Sequence, residues 1–482
     1  MTKKLIPTAL AAALLLAGCS LIPTYERPAA PVPTTYPGDP TQPAGQAAAS
    51  LPWQDFFTDA RLAGLIQTSL ANNRDLRVSV LNIEQARAQF QIERSALFPA
   101  LGLTGSGSRS SPNAYQAIDP SQGSVSSQYS VNFGFTAWEL DFFGRIRALK
   151  DQALAQYLAT DETRKAVQIS LIASVANGWL TLLADDELLE ITRQTLSTRE
   201  ESVRLTKLRF DNGVSSELDF QAANSLLETA RAAYAQQLRT RQQDENALAL
   251  LLGAPVPADA TAGGTTAAKG LDGISPMPDV PAGLPSDLLA ERPDIRSAEQ
   301  QLIAANANIG AARANFFPRV SLTSSIGTAS TEFSGLFDRG SKAWSFAPTV
   351  TLPIFNAGAN IATLDSAKAG REIAVAQYEK SVQTAFREVA DALAGRATLG
   401  EQVRAQRAQA DAEGVRFKLS DLRYRNGIAS ALDLLDAQRS LFTAQQSAVT
   451  TRLLQLQNQV TLYKTLGGGW ATREQIEKNQ KS

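Results

Sequence analysis

LRFDNGVSSELDFQAANSLL (residues 208–227) lies without a gap on LRYRNGIASALDLLDAQRSL (422–441), at an offset of 214 and with nine identities in twenty positions. Ordinary composition would give about one or two by chance. Upstream, NNRDLRVSV (72–80) and ERSALFPALGLT (93–104) match the stretch from Arg292 and AARANFFPRVSLT (311–323) at an offset of 219. An insertion of five residues therefore separates two registers of one duplication. Two long copies, as opposed to many short ones, argue against a solenoid and for a pseudo-twofold or barrel-like assembly.

Each copy holds a turn signal, Phe210-Asp211-Asn212-Gly213 in the first and Tyr424-Arg425-Asn426-Gly427 in the second. Asn-Gly tolerates the left-handed backbone that takes a chain out of a helix. Ser216 and Ser430 then stand where the next helices need N-caps, and Asp219 and Asp433 follow them by three, the spacing of a capping box. Asp436, one turn beyond Asp433 on the same face, has no part in that pattern. Val214-Ser215 and Ile428-Ala429 keep both turns small.

Proline interrupts helices, and none falls between Pro52 and Pro99, between Pro120 and Pro255, or after Pro353. From about Gly144 to Asp211 the pattern predicts one helix of roughly 100 Å. Val175, Leu182, Leu189, Leu196, Val203 and Phe210 recur every seven residues along it, the seam of a left-handed supercoil. Val389, Val403, Phe417 and Tyr424 keep that register in the second copy, with Arg396 and Ala410 between them. The other faces are wet, so each helix needs flanking helices. Shorter helical tracts at 62–96 and 216–252, stacked end to end, would match the long one. No segment after the N-terminal leader is expected to approach the apolar run of about eighteen residues needed to span a bilayer as a helix.

Between helices the period changes to two. Val131, Phe133, Phe135 and Ala137 alternate with Asn132, Gly134 and Thr136; Val320, Leu322 and Ile326 alternate with Ser321, Thr323 and Ser325. Strands are expected at about 98–108, 129–140, 317–328 and 344–355. The pattern suits a soluble hairpin packed on helices, and it also suits membrane strands of nine to eleven residues. In lipid, four strands cannot close a barrel, and an open sheet edge is not viable there, so insertion would require several chains to pool their strands.

Lys3-Lys4, an apolar run and Leu16-Ala17-Gly18-Cys19 read as a signal peptide over 1–18. Cys19 is the only cysteine, so it has no disulfide partner within the chain. The chain has 46 Lys and Arg, 47 Asp and Glu, and no histidine. Without its two leader lysines it is weakly acidic, which gives no attraction for nucleic acid. Lacking histidine, it has neither Ser-His-Asp nor Cys-His machinery and no His-ligated metal site. No phosphate-binding loop or dinucleotide fingerprint is present, and neither catalytic residues nor cofactors are expected.

LAGC-Ser20 followed by the Pro-rich YERP segment, WELDFFGRIR (138–147), LPSDLLAERPDIR (284–296) and the paired NG turns resemble the outer membrane factors of Gram-negative efflux systems. These are the TolC/OprM-type channels, and the likeness covers essentially the whole mature chain. The resemblance implies a mainly α chain with membrane β: a homotrimer whose 12-strand β-barrel in the outer membrane continues into a long periplasmic α-helical barrel. It also implies lipidation, with palmitate, at Cys19. The organisation read on that basis is signal peptide 1–18, lipid-anchored arm 19–54, repeat 1 at 55–252, connector 253–283, repeat 2 at 284–466 and tail 467–482.

Positions matching Asp433 and Asp436 form acidic rings at the family's periplasmic constriction, and positions matching Tyr424 and Asp219 link helices there. The resemblance thus assigns gating and selectivity to Asp433, Asp436, Asp219 and Tyr424. Adaptor contact falls to the tips Asn212, Gly213, Val214, Ser215, Asn426, Gly427, Ile428, Ala429 and Ser430. The chain departs from the pattern at Ala429, where TolC itself carries an arginine; Arg423 and Arg425 are the nearby substitutes. The implied function is a passive, gated conduit for drugs and toxic compounds, with a proton-driven RND-type pump in the inner membrane and a periplasmic adaptor as partners. The competing readings are a soluble periplasmic lipoprotein scaffold or adaptor without a pore, and the same channel serving metal-ion or protein export.

Overall fold

The computed structural model describes residues 20–37, 47–111, 125–261 and 267–471. Signal segment 1–18, Cys19, residues 112–124 of the first strand-joining loop, 262–266 of the connector and the tail from 472 lie outside the described residues.

The first copy contributes helices α1 (Ala60–Asn72) and α2 (Arg74–Ser95), strands β1 (Gly102–Ser110) and β2 (Ser126–Leu140), long helix α3 (Arg145–Asp211) and returning helix α4 (Glu217–Leu252). In the second, α5 (Pro293–Ala314), β3 (Arg319–Ser330), β4 (Lys342–Thr351), α6 (Ala359–Arg425) and α7 (Ala431–Thr465) repeat that order. Helices α3 and α6 have 67 residues each, about 100 Å at the helical rise.

The tract expected as one helix over 62–96 is two. Asn73 is extended between α1 and α2, with ψ 131°. Its Oδ1 accepts from the Leu76 N–H at 2.9 Å and so caps α2. Its Nδ2 and the Ser69 hydroxyl donate to the Leu251 carbonyl at 3.0 and 2.7 Å. The break thus serves the end of α4, where it supplies donors to the Leu251 carbonyl, one of the groups a helix end leaves without an intrahelical partner.

Two compact units form. One gathers the N-terminal arm up to Ala29 with Asn82–Asp161 and Ser297–Tyr378. Its sheet has the order β1-β2-β3-β4, antiparallel throughout, so β2 against β3 joins the two copies and β1 and β4 are the edges. The register sets Leu103 opposite Phe133, Phe133 opposite Ile326, and Ile326 opposite Trp344. Directly opposed residues share a face, so four apolar side chains cross the whole sheet in one row, and all four are exposed. The other face is small and polar. Ser106 meets Ser130 at 2.9 Å and Ser325 meets Ser345 at 2.8 Å, hydroxyl to hydroxyl. Gly134 and Gly327 lie on that face; a Cβ on either would come within 2.0 Å of a backbone carbonyl of the neighbouring strand.

The arm is clamped onto α5. The Tyr25 hydroxyl and Arg27 Nε donate to Glu299 Oε1 at 3.0 and 2.8 Å, and Asn306 and Arg313 donate to the Pro23 and Leu21 carbonyls at 2.7 and 3.1 Å.

The second unit gathers Ala30–Leu81, Glu162–Arg296 and the chain from Glu379. Phe56 stacks on Tyr463 with ring centroids 4.0 Å apart, and the Tyr463 hydroxyl donates to the Leu51 carbonyl at 2.6 Å. Trp179, fully buried, donates to the Ala260 carbonyl at 3.2 Å. Contrary to the sequence expectation, Arg145–Asp211 contains an uncharged stretch around Trp179 that is long and apolar enough to cross a membrane, and just over half of that stretch is buried. Val175, Ala176, Trp179, Leu180 and Leu182 make it a core segment of this unit.

The seven-residue seam is also more polar than its leucines implied. Val175 and Leu182 are buried, Leu189, Leu196 and Val203 only partly, and Phe210 is exposed. Asp185, Thr192, Arg199 and Thr206, on the same repeat three residues further on, are buried instead. Asp185 faces α4, where Gln237 Nε2 donates to its Oδ1 at 2.9 Å. Burial, with Asp244 alongside, pushes its carboxyl up to about 7. Asp186 is turned to Arg241 instead, at 2.5 Å.

In purified protein in mild detergent, Gly327→Ala should lower the thermal midpoint of the β signal in circular dichroism, because β2 and β3 must part. A carboxyl raised in the folded state stabilises fully below its ordinary value and loses that contribution as pH rises through the folded one. Stability should therefore fall between pH 3.8 and about 7, and Asp185→Asn should flatten that slope; an unchanged profile would remove Asp185 as its source.

Candidate functional site at the helical turns

The two turns are built alike. Gly213 and Gly427 both have φ +73°, the left-handed conformation that glycine adopts at little cost. The Gly213 and Val214 N–H groups return to the Phe210 and Arg209 carbonyls, each at 2.9 Å, and the Gly427 and Ile428 N–H groups to Tyr424 and Arg423 at 3.0 and 2.8 Å. These bonds close the ends of α3 and α6. Asn212 and Asn426 stay on the helix side, their amides donating to the Leu208 and Leu422 carbonyls at 2.7 Å.

Both expected capping boxes are present. The Ser216 hydroxyl accepts from the Asp219 N–H at 3.1 Å, and Asp219 Oδ2 accepts from the Ser216 hydroxyl at 2.8 Å and from Ser215 at 3.1 Å. Ser430 and Asp433 repeat this at 3.2 and 2.8 Å. Hydrogen bonds from Ser216 and Ser430 hold the Asp219 and Asp433 carboxyls below the usual aspartate range.

Asp436 has a different environment. Arg416 on α6 and Arg439 on α7 each reach it at 2.5 Å, and together they hold its carboxyl low. Arg416 also pairs with Glu413 at 3.1 Å. Of the two carboxylates that the sequence placed on one face, Asp433 is bonded into its own cap with the Arg423 charge near it, while Asp436 is directly paired with two arginines.

Tyr424 is buried, its hydroxyl 3.5 Å from that of Thr206. The hydrogen bonds of Asp219 run to its own turn, so the fold does not join Tyr424 to Asp219. Arg209, which sequence reasoning passed over, takes the linking position. Its guanidinium lies 4.3 Å from the Tyr424 ring centroid, and its Nη2 donates to the Tyr424 carbonyl at 3.1 Å. It thereby ties the end of α3 to the end of α6. Neither substitute named above does this; Arg425 pairs with Asp421 at 2.7 Å along its own helix. Offset arithmetic held the signal, since Arg209 is the first-copy counterpart of Arg423.

The outermost surface is apolar. Val214 and Ile428 are 73 % and 69 % exposed, and Leu218 and Leu432, one helical turn further, 78 % and 71 %. The leucines were legible as a pair repeated at the 214-residue offset, but only the turn residues were singled out. Among the described residues no cluster of three or more Cys, Asp or Glu could hold a metal ion.

The family model of the outer membrane efflux protein matches residues 65–254 and 284–468, one stretch in each copy. The probable efflux pump outer membrane protein TtgC of Pseudomonas putida is 50 % identical over 475 residues, covering 98 % of this chain and 96 % of its own. Outer membrane protein OprJ of Pseudomonas aeruginosa is 45 % identical over 469 residues, with 96 % and 95 % covered. The open-state MtrE outer membrane channel of Neisseria gonorrhoeae superposes with a TM-score of 0.83 at 42 % identity, over 94 % of this chain and 99 % of that one. For the Campylobacter jejuni CmeC outer membrane channel the TM-score is 0.85 at 25 % identity, over 96 % and 98 %. The duplicated chain with its sheet and its capped helical turns belongs to the outer membrane efflux protein family and is an outer-membrane channel for efflux.

Proposed function

We propose that three copies pool their strands into a twelve-strand barrel, continued by a helical conduit across the periplasm and gated at the paired turns. The conduit is passive. It receives small molecules from a proton-driven, RND-type inner-membrane pump through a periplasmic adaptor and releases them outside. One observation carries this reading: the exposed row Leu103, Phe133, Ile326 and Trp344 backs a polar, serine-lined face in a sheet whose edges are β1 and β4. Hydrocarbon covers such a row without a protein partner, and edges are tolerated in lipid only when paired with another chain's. A soluble scaffold would have to bury the row on itself.

Cargo is inferred from relatives bearing the names "toluene efflux pump" and "antibiotic efflux pump" outer membrane protein, both about half identical to this chain. The adaptor would dock on the apolar tips Val214, Leu218, Ile428 and Leu432 together with the turn backbones from Asn212 to Ser215 and from Asn426 to Ser430. Lipidation at Cys19 is part of the same reading, as is the division into an arm, two repeats, a connector at 253–283 and a tail.

Asp433 supplies the negative charge of the constriction, whereas Asp436 locks α6 to α7 through Arg416. In planar bilayers, Asp433→Ala with Asp436→Ala should raise single-channel conductance and lower cation preference, because both the field and the lock are removed. Unchanged selectivity would reduce these carboxylates to helix caps and ion pairs. On fractionation the protein should resist carbonate extraction and migrate as a heat-sensitive oligomer; a monomer released by carbonate would favour the scaffold.

A further inference from the structure

Between α3, α6 and α7 lies a cavity of about 150 Å³ with Arg199, Phe417, Gln438, Leu441 and Phe442 in its wall. Arg199 is 3 % exposed, and among the described residues no carboxylate pairs with it. Its Nη1 donates to the Leu226 carbonyl at 2.7 Å, and its guanidinium stands 5.6 Å from the Phe442 ring centroid. The Nε, buried, has no hydrogen-bond partner. The charge acting on it is the like charge of Arg439. Gln438, also buried, uses its amide N–H on the Ser202 hydroxyl at 2.7 Å and leaves its Oε1 without a partner.

A buried cation with no counter-charge is costly unless something supplies one. The cavity beside it is half apolar, and a void of about this size accepts a benzene ring. We propose that the cavity around Arg199 binds a small cyclic carboxylate, its charge taken by the guanidinium and its ring by Phe417, Leu441 and Phe442. Such a ligand would touch both long helices and α7 at once, twelve residues before the end of α3, or about 18 Å along its axis. Occupancy would tie the bundle above the turns. Binding itself does not depend on the channel reading, and the test below needs no pore.

The probe is benzoate, titrated calorimetrically into the full-length protein in detergent, with benzamide as its neutral twin. Benzoate should bind once per chain and benzamide should not. Arg199→Gln should weaken benzoate about tenfold or more, equivalent to ~1.4 kcal/mol. Thr195 also lines the cavity from α3; Thr195→Phe, which fills it and keeps the arginine, should weaken benzoate as much, and it decides the matter alone if the glutamine variant does not fold. No benzoate binding to the wild type, benzamide binding of equal strength, or a cavity-filled variant with unchanged affinity would overturn the site.

Discussion

In hydrocarbon a backbone N–H or C=O without a partner costs several kcal/mol, and this requirement organises the chain. Duplication supplies four strands and pairs the inner two across the copies, β2 on β3, leaving one edge strand from each copy. The faces then sort by solvent. The row through Leu103, Phe133, Ile326 and Trp344 suits lipid, and the serine pairs on the opposite face suit a wet interior. On that polar face Gly134 and Gly327 leave no room for a Cβ between β2 and β3, so the seam between the two copies requires glycine at both positions.

Much of this was legible because it is local. An Asn-Gly turn and an S-x-x-D cap act within four residues or fewer and appear at the expected positions; the four strands appear in the expected tracts, but β1 starts at Gly102, after the turns at Ala96 to Phe98, instead of at 98, and β4 ends at Thr351 instead of 355. The misses need a second element. Asn73 breaks its helix because the end of α4 requires its amide, and nothing within 62–96 records that demand. The apolar window of α3 was under-read because alanine, serine and glycine dilute it around Trp179. The polar half of the seam, from Asp185 to Thr206, escapes a search for leucines, because its burial depends on other helices: Asp185 and Arg199 bond to α4, and the Thr206 hydroxyl meets that of Tyr424 on α6.

At the turns the same division holds. The caps on Asp219 and Asp433 were set by spacing, yet one of the two arginines on Asp436 is Arg416, twenty residues back and on another helix. A row of acidic residues in sequence is therefore no measure of the charge a bore would feel. The Arg209 stack on Tyr424 makes the same point for cations, since the residue that joins the helices comes from the copy where no gate arginine was sought.

The clamp on the N-terminal arm has its own consequence. Arg313 holds the Leu21 carbonyl, and Cys19 is two residues away, a reach of about 7 Å. If Cys19 carries the proposed lipid, that lipid would have almost no slack. It would act as a short pin near the last turn of α5, confining newly made protomers to a thin layer where encounter is two-dimensional and effective concentration high.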